Sequence, residues 1–129
     1  MDDIIKGMKY TFLIHFIVGT ILGIELFFIP EIYVRTLGWP YLDPALSRIT
    51  GAAFLALAAS SILCFREKEW EKVKIVVEVE LIWLSLSIVA QIWGLLLGVP
   101  VAIFLLNVLI SGLLLFAFAY FFFKQRQVL

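Results

Sequence analysis

The chain has 129 residues, of which 64% are hydrophobic and 16% charged, and its formal net charge is zero. A soluble domain is typically about 45–50% apolar, so this composition excludes an ordinary soluble protein, and the charge gives no basis for binding nucleic acid. The single cysteine, Cys64, excludes an internal disulfide and a multi-cysteine metal cluster within one chain. The length indicates a single domain, residues 1–129.

Four apolar blocks separated by charged segments predict four transmembrane helices. A bilayer core of about 30 Å requires about 20 helical residues, and helices leave no backbone group unpaired in hydrocarbon. Asp43 and Pro44 supply an N-cap and a first-turn proline for the second span. The turn Gly98-Val99-Pro100 is short enough to make spans three and four an antiparallel hairpin. The predicted fold is an all-α, integral membrane four-helix bundle with spans at residues 10–29, 45–65, 74–97 and 101–123.

Lysine and arginine are divided unevenly between the two sides of this predicted bundle. Eight fall on the side of the two termini and of the loop between spans two and three, and only Arg35 and Arg48 fall on the other. Segments rich in Lys and Arg remain in the cytoplasm. The distribution predicts a multi-pass protein of the cell membrane with both termini cytoplasmic.

The segment between spans one and two, residues 31–43, is too apolar for a free loop. It is predicted to lie along the outer membrane surface with Ile32, Tyr33, Leu37 and Trp39 directed inward. The alternative is a plain connector that carries ordinary interfacial aromatic residues.

Two charged residues lie about one helical turn inside the outer ends of spans one and two: Glu25 and Arg48. If these spans are antiparallel neighbours, the two charges reach the same level, which predicts a buried ion pair. Such a pair would be structural or would contribute to binding a ligand.

Span three carries a polar stripe, because positions 80, 87, 91, 94 and 98 share one helical face. The stripe places Glu80, Ser87 and Gln91 toward the bundle interior, with His15 of span one at the height of Glu80. A contact between His15 and Glu80 would hold or pass a proton, or form a structural hydrogen bond between spans one and three. The chain has neither paired histidines nor a Glu-x-x-His motif, so no metal and no other cofactor is predicted.

Span four carries Asn107 and Ser111 one turn apart on one face. Around a turn centred on residue 99, Gln91 lies level with Asn107, and Ser87 lies level with Ser111. Two polar pairs in one register would fix how the helices slide against each other. The predicted ligand or proton pathway consists of His15, Glu80, Ser87, Gln91, Asn107 and Ser111.

Small residues predict where spans one and two approach closely. Gly19 and Gly23 are four apart in span one, and Ala52, Ala56 and Ser60 have the same spacing in span two. Such spacings let helix backbones come together in a membrane.

The stretch GWPYLDPALSRITGAAFLALAASS, residues 38–61, resembles the small four-helix membrane proteins grouped around DoxX. The resemblance is carried by Pro30, Asp43, Pro44, Arg48 and Gly51. It implies a compact four-helix bundle. The roles of DoxX-like proteins include accessory subunits of quinone-linked oxidoreductases, so the resemblance implies the fold more than an activity and transfers no catalytic residue.

Three classes of function fit these patterns. The first is an accessory or small-ligand- or lipid-binding membrane subunit, which fits a polar interior and the lack of a soluble domain. The second is a small oligomeric transporter or channel that uses His15, Glu80 and Gln91 as an inner-side pathway. The third is an intramembrane enzyme with His15 and Glu80 as acid and base, for which no catalytic motif is present. The partners expected are the lipid bilayer and another copy of the chain or a larger membrane complex.

Overall fold

The computed structural model describes residues 2–39 and 41–129, which form five helices and no strand. Four helices are long and apolar enough to cross a membrane. Their 23 to 28 residues correspond to about 34–42 Å. The all-helical class and the four long apolar helices are confirmed, and they fit a polytopic membrane protein. The helices are α1 (Lys6–Phe28), α2 (Glu31–Leu37), α3 (Pro44–Arg66), α4 (Trp70–Leu96) and α5 (Val101–Val128).

Three of the long helices extend beyond the predicted spans on the side of the chain termini. Helix α1 begins at Lys6 rather than residue 10, α4 begins at Trp70 rather than residue 74, and α5 continues to Val128 rather than 123. These extensions contain Lys, Glu, Gln and Arg, which are good helix formers. Apolar content therefore marks how much of a helix can lie in hydrocarbon, whereas the helix itself continues into the charged flanks.

The predicted helix boundaries at Asp43 and Gly98 are present. The Asp43 carboxylate accepts hydrogen bonds from the N–H groups of Ala45, at 2.8 Å, and Leu46, at 3.2 Å. Gly98 has a φ of 97°, and the N–H of Val99 donates to the carbonyl of Gly94 at 3.0 Å. This left-handed closure ends α4 and turns the chain directly into α5, so α4 and α5 form the predicted hairpin.

Helices α1 and α3 also form an antiparallel pair, and three glycines allow their close approach. A Cβ atom on Gly51 would lie 2.5 Å from the backbone nitrogen of Phe27, and one on Gly23 would lie 2.8 Å from the side chain of Leu55. A Cβ atom on Gly19 would lie 3.2 Å from that of Ala58. The predicted contact face of span one is therefore present.

The contact face of α3 differs from the predicted one. Ala52 and Ala56 are exposed, and the contacts to α1 come from Gly51, Leu55 and Ala58. The segment from residue 51 to 61 is so rich in small residues that several of its stripes have the spacing for close packing. The stripe that contains Gly51 contacts α1 because a bare backbone allows the nearest approach.

The bundle has two different ends, which we call the terminus end and the loop end. The terminus end holds the chain segment before α1, the loop Glu67–Glu69 and the end of α5, and the loop end holds α2 and the turn at Gly98. The dry core lies mainly toward the terminus end and includes Met8, Phe12, Trp70, Val73, Val77 and Phe118. In the described structure α4 contributes no buried residue beyond Leu84. The two hairpins therefore pack tightly at the terminus end and less tightly toward the loop end.

A hydrogen-bonded clasp closes the terminus end. The fully buried Gln125 accepts from the N–H of Ile5 at 2.8 Å and donates to the carbonyl of Asp3 at 2.7 Å. The Asp3 carboxylate accepts from the N–H of Trp70 at 2.6 Å, and the Asp3 N–H donates to the carbonyl of Lys68 at 3.0 Å. We call these five residues the terminal clasp. It joins the segment before α1 to the start of α4 and the end of α5.

Replacing Gly51 with alanine is expected to destabilise the bundle by about 1–3 kcal/mol, because the new methyl group would meet the backbone of α1 and force the two helices apart. The matched control is Gly112→Ala, whose added methyl group meets open space, so the better helix propensity of alanine should leave stability equal or higher. Unfolding of both variants in mixed micelles measures the difference. Equal stability of the two variants would contradict the close α1–α3 contact.

Candidate functional site

His15 lies where all four long helices meet. Its Nδ1 is 2.7 Å from the hydroxyl oxygen of Ser61 on α3, and its Nε2 is 3.4 Å from a carboxylate oxygen of Glu80 on α4. The ring also makes an edge-to-face contact with Phe118 of α5, with 5.6 Å between centroids. One side chain of α1 thus contacts each of the other three long helices.

The carboxyl group of Glu80 is fully buried. Among the described residues neither of its oxygens has an aligned hydrogen bond, although His15 Nε2 lies within ion-pair distance. A single unpaired charge at this position would be costly. The two side chains therefore share one titratable proton. Either a carboxylate lies beside an imidazolium, or a neutral acid lies beside a neutral imidazole. The structure brings together His15 and Glu80, which the sequence predicts to be neighbours.

The inward position of Glu80 follows from the apolar residues around it on α4. Val73, Val77 and Leu84 are buried at helical spacing on the same face, whereas Glu78 is exposed. A residue between Val77 and Leu84 on that face points into the bundle, because a rotation of α4 that exposed it would also turn the apolar stripe outward. The local pattern of α4 therefore forces Glu80 toward His15.

Above His15, toward the loop end, the two hairpins line a partly open cavity of about 300 Å³, which we call the bundle cavity. Its walls differ in chemistry. Helices α1 and α3 contribute mainly apolar groups, among them Val18, Leu22, Leu26, Phe54 and Leu57. Helices α4 and α5 contribute the polar residues Ser87, Gln91, Asn107 and Ser111 beside the apolar Trp83, Leu84, Ile110 and Leu114, and the loop end is lined by Tyr33, Trp39, Tyr41 and Leu42.

Gln91 is at the centre of the polar wall. Its Nε2 donates to the hydroxyl oxygens of Ser87, at 2.9 Å, and Ser111, at 3.1 Å. Its carbonyl oxygen Oε1 is buried and has no hydrogen-bond partner among the described residues. The amide N–H groups therefore donate to the two serines, and the amide oxygen remains an unused acceptor.

The expected pairing of Gln91 with Asn107 is wrong, because Gln91 bonds Ser111 instead. Long side chains on a helix point back toward its N-terminus. Gln91 therefore reaches the level of Ser87, and Ser111 lies opposite at that level. Asn107 lines the cavity without a hydrogen bond to Gln91 in the described structure. All four predicted polar residues of spans three and four still face one space.

The predicted buried ion pair between Glu25 and Arg48 is also wrong. Arg48 pairs with Glu31 of α2 at 3.1 Å, and both side chains are substantially exposed. Gly51 lies opposite Phe27, so Arg48, about one turn earlier on α3, lies beyond the end of α1 and level with α2. The backbone N–H of Glu31 and then the Arg48 guanidinium lower the pKa of the Glu31 carboxyl group.

Glu25 has a different partner, the hydroxyl group of Tyr33, which donates to its carboxylate at 3.2 Å. Burial, followed by the charge of Glu25, raises the pKa of the Tyr33 phenol, so it stays protonated as a donor. Helix α2 is thus tied to α1 and directs Tyr33 inward, as predicted. Ile32 is exposed, contrary to the expectation that it faces inward, while Trp39 lines the bundle cavity.

Sequence reasoning missed Ser61, the second partner of His15. A signal for it exists in the small residues, because Gly19 lies beside Ala58 in the antiparallel pair. His15 lies one turn before Gly19, and residues 61 and 62 lie one turn after Ala58. These positions are therefore level in the antiparallel pair. The terminal clasp was missed as well, since Asp3 and Gln125 lie in polar flanks at opposite ends of the chain that give no sign of a contact.

The described residues contain no group of three or more His, Cys, Asp or Glu side chains that could hold a metal ion. Cys64 is buried in the dry core. No protein family, curated protein or solved structure matches the chain. The bundle cavity and the groups that line it are therefore the features that indicate a function.

Substituting His15 or Glu80 singly with leucine is expected to cost about 3–5 kcal/mol of unfolding free energy, because either change leaves a buried partner uncompensated. The double substitution should cost less than the sum of the two, with a coupling energy of about 1 kcal/mol or more. The matched control is Glu78→Leu on the exposed face of α4. Additive losses in this double-mutant cycle would show that the two groups do not interact.

Proposed function

We propose that the protein is a membrane subunit that binds a small amphiphilic molecule of the bilayer within the bundle cavity. The observation that carries the proposal is a mostly apolar cavity of about 300 Å³ in which Ser87, Gln91, Asn107 and Ser111 form a polar cluster on α4 and α5. Binding sites for small molecules are typically concave, mostly apolar and at least about 300 Å³ in volume, with a few polar groups that fix orientation. The bundle cavity has these properties and extends from His15 to the segment between α2 and α3.

The seam between α3 and α4 supplies a route from the bilayer. These two helices pack loosely, and the rings of Phe54 and Trp83 bridge them edge to face with 5.9 Å between centroids. Both side chains line the bundle cavity. A rotation of either aromatic ring about its side-chain bonds would open the cavity toward lipid without separating the tight α1–α3 or α4–α5 pairs.

The packing of the terminus end favours binding over transport by a single chain. Phe12 and Phe118 are fully buried, with their rings in edge-to-face contact at 5.5 Å, directly below His15. Met8, Trp70 and Val77 belong to the same apolar core. The polar pathway of His15, Glu80, Ser87, Gln91, Asn107 and Ser111 thus forms a pocket that ends in dry packing, and a pore would require a second copy or a large rearrangement.

The DoxX-like resemblance of residues 38–61 is compatible with this role, because the roles of DoxX-like proteins include accessory subunits. The proposed subunit works in a larger membrane complex or as a homo-oligomer. The orientation that we propose places both termini in the cytoplasm, on the basis of the eight-to-two distribution of Lys and Arg. The bundle cavity would then lie in the outer half of the membrane.

Filling the cavity tests the proposed function. Leu22 lines the apolar wall, and Leu22→Trp should occupy the space that a ligand needs. The control is Leu109→Trp, which adds the same ring to an exposed position on α5. Native mass spectrometry after gentle release from micelles should show one co-purified lipid or amphiphile on the wild type and the control, and none on Leu22→Trp.

Thermal unfolding checks that Leu22→Trp remains folded, and Leu57→Trp provides a second cavity-filling variant if it does not. Equal occupancy of all variants, or no bound molecule on the wild type, would rule out the bundle cavity as a binding site.

Cysteine labelling tests the orientation. In a background with the buried Cys64 replaced by alanine, cysteines introduced at Arg35 or Thr36 should react with an impermeant reagent added outside intact cells. Cysteines at Lys68 or Gln127 should react only after the membrane is opened. Gln127 is suitable because it is exposed, whereas the nearby Gln125 is fully buried. The reverse labelling pattern would overturn the proposed topology.

A further inference from the structure

The polar wall of the bundle cavity holds hydrogen-bonding groups that the protein itself does not use. Gln91 donates to Ser87 and Ser111, and its buried Oε1 has no partner among the described residues. A buried acceptor without a donor costs roughly 1–3 kcal/mol. Less than 1 Å² of this oxygen is accessible, so a bound molecule that offers an O–H or N–H group would recover that loss if the Gln91 amide turns toward the cavity.

The two serines, in contrast, need a hydrogen-bond acceptor on the same ligand. Each hydroxyl oxygen already accepts a hydrogen bond from Gln91, so each keeps its own proton to donate. The hydrogen bonds from the Gln91 Nε2 to the two serines keep the Gln91 acceptor close to these two donors. A hydroxyl group both donates and accepts, so a single hydroxyl satisfies this arrangement.

The charges around the cavity restrict the ligand further. Within the described part of the chain, no lysine or arginine lines the cavity, and the lining Asp43 carboxylate caps α3 at its mouth. His15, at the base, is already engaged by Ser61 and Glu80. An anionic or cationic head group would therefore be buried without a partner, which is costly in the apolar part of a membrane protein.

The volume sets the size of the part that enters. A dry protein cavity of about 150 Å³ takes up benzene, so twice that volume accommodates roughly a dozen non-hydrogen atoms. A head group with a chain of about ten carbons fits this space. The remainder of a longer chain would pass through the seam at Phe54 and Trp83.

We infer that the ligand of the bundle cavity is a neutral amphiphile with a hydroxyl head group, held by Gln91, Ser87 and Ser111, with its apolar chain against α1 and α3. This inference rests on the proposed function and specifies its ligand class. It assigns Gln91 as the residue that determines specificity for the head group.

Four probes of matched chain length test the ligand class: 1-decanol, undecane, decanoate and decylammonium. Purified protein in micelles is titrated with each probe, and occupancy is measured by native mass spectrometry. The wild type should bind 1-decanol about 10-fold more tightly than undecane, and more tightly than either ion. Gln91→Leu should lose that 10-fold preference while its affinity for undecane is retained or increased.

Two further variants separate the head-group site from general effects on α4. Ser87→Ala should weaken 1-decanol binding, whereas Ser85→Ala should leave it unchanged, since the Ser85 hydroxyl bonds the carbonyl of Leu81 on the exposed face. If Gln91→Leu unfolds, Gln91→Met and the Ser87→Ala result decide the same question.

The outcomes of the probe series separate failure of the ligand class from failure of the proposed function. Equal binding of 1-decanol and undecane, or tighter binding of either ion, would overturn the ligand class. The proposed function would then still stand, provided that Leu22→Trp abolishes binding. If no probe and no co-purified molecule binds the wild type more than Leu22→Trp, both proposals are overturned.

Discussion

The carboxyl group of Glu80 is the constraint on which the arrangement of the bundle depends. It lies fully buried among packed side chains in a bundle whose helices are apolar enough to cross a membrane, so it needs a compensating group at short distance. His15 is that group, and because the other nitrogen of its ring contacts Ser61, the imidazole also fixes α3. One polar contact thus relates the α1–α3 pair to the α4–α5 pair, which apolar packing alone would leave free to slide.

The same stripe of α4 that buries Glu80 explains why the bundle is open toward its loop end. Before Glu80 the stripe presents valines, which pack dry against the other helices. After Leu84 it presents Ser87 and Gln91, and these cannot pack dry against the leucines of α1 and α3 without losing their hydrogen bonds. The polar groups turn toward α5 and bond to each other and to Ser111, and the space between the walls remains as the cavity.

Local patterns in the sequence predict much of the fold and part of the site. The N-cap at Asp43, the turn at Gly98 and the inward stripe of Glu80 are predictable because each depends on residues within a few turns of one another. The partner of Arg48 is not, because α2 forms between the spans and brings Glu31 to the place expected for Glu25. The cavity is harder still to predict, since it results from surfaces that do not meet, and hydropathy records only that a residue is apolar.

The terminal clasp has a consequence for how the protein is assembled. The hydrogen bond between Gln125 and Ile5 joins positions 120 residues apart, and a second bond joins Gln125 to Asp3. These two contacts form only when α5 has docked beside the segment that precedes α1, so an intermediate without α5 holds that segment only through the bonds of Asp3 to Lys68 and Trp70. The segment therefore gains its last hydrogen bonds when α5 docks, and its full protection from proteases is expected only in the complete bundle.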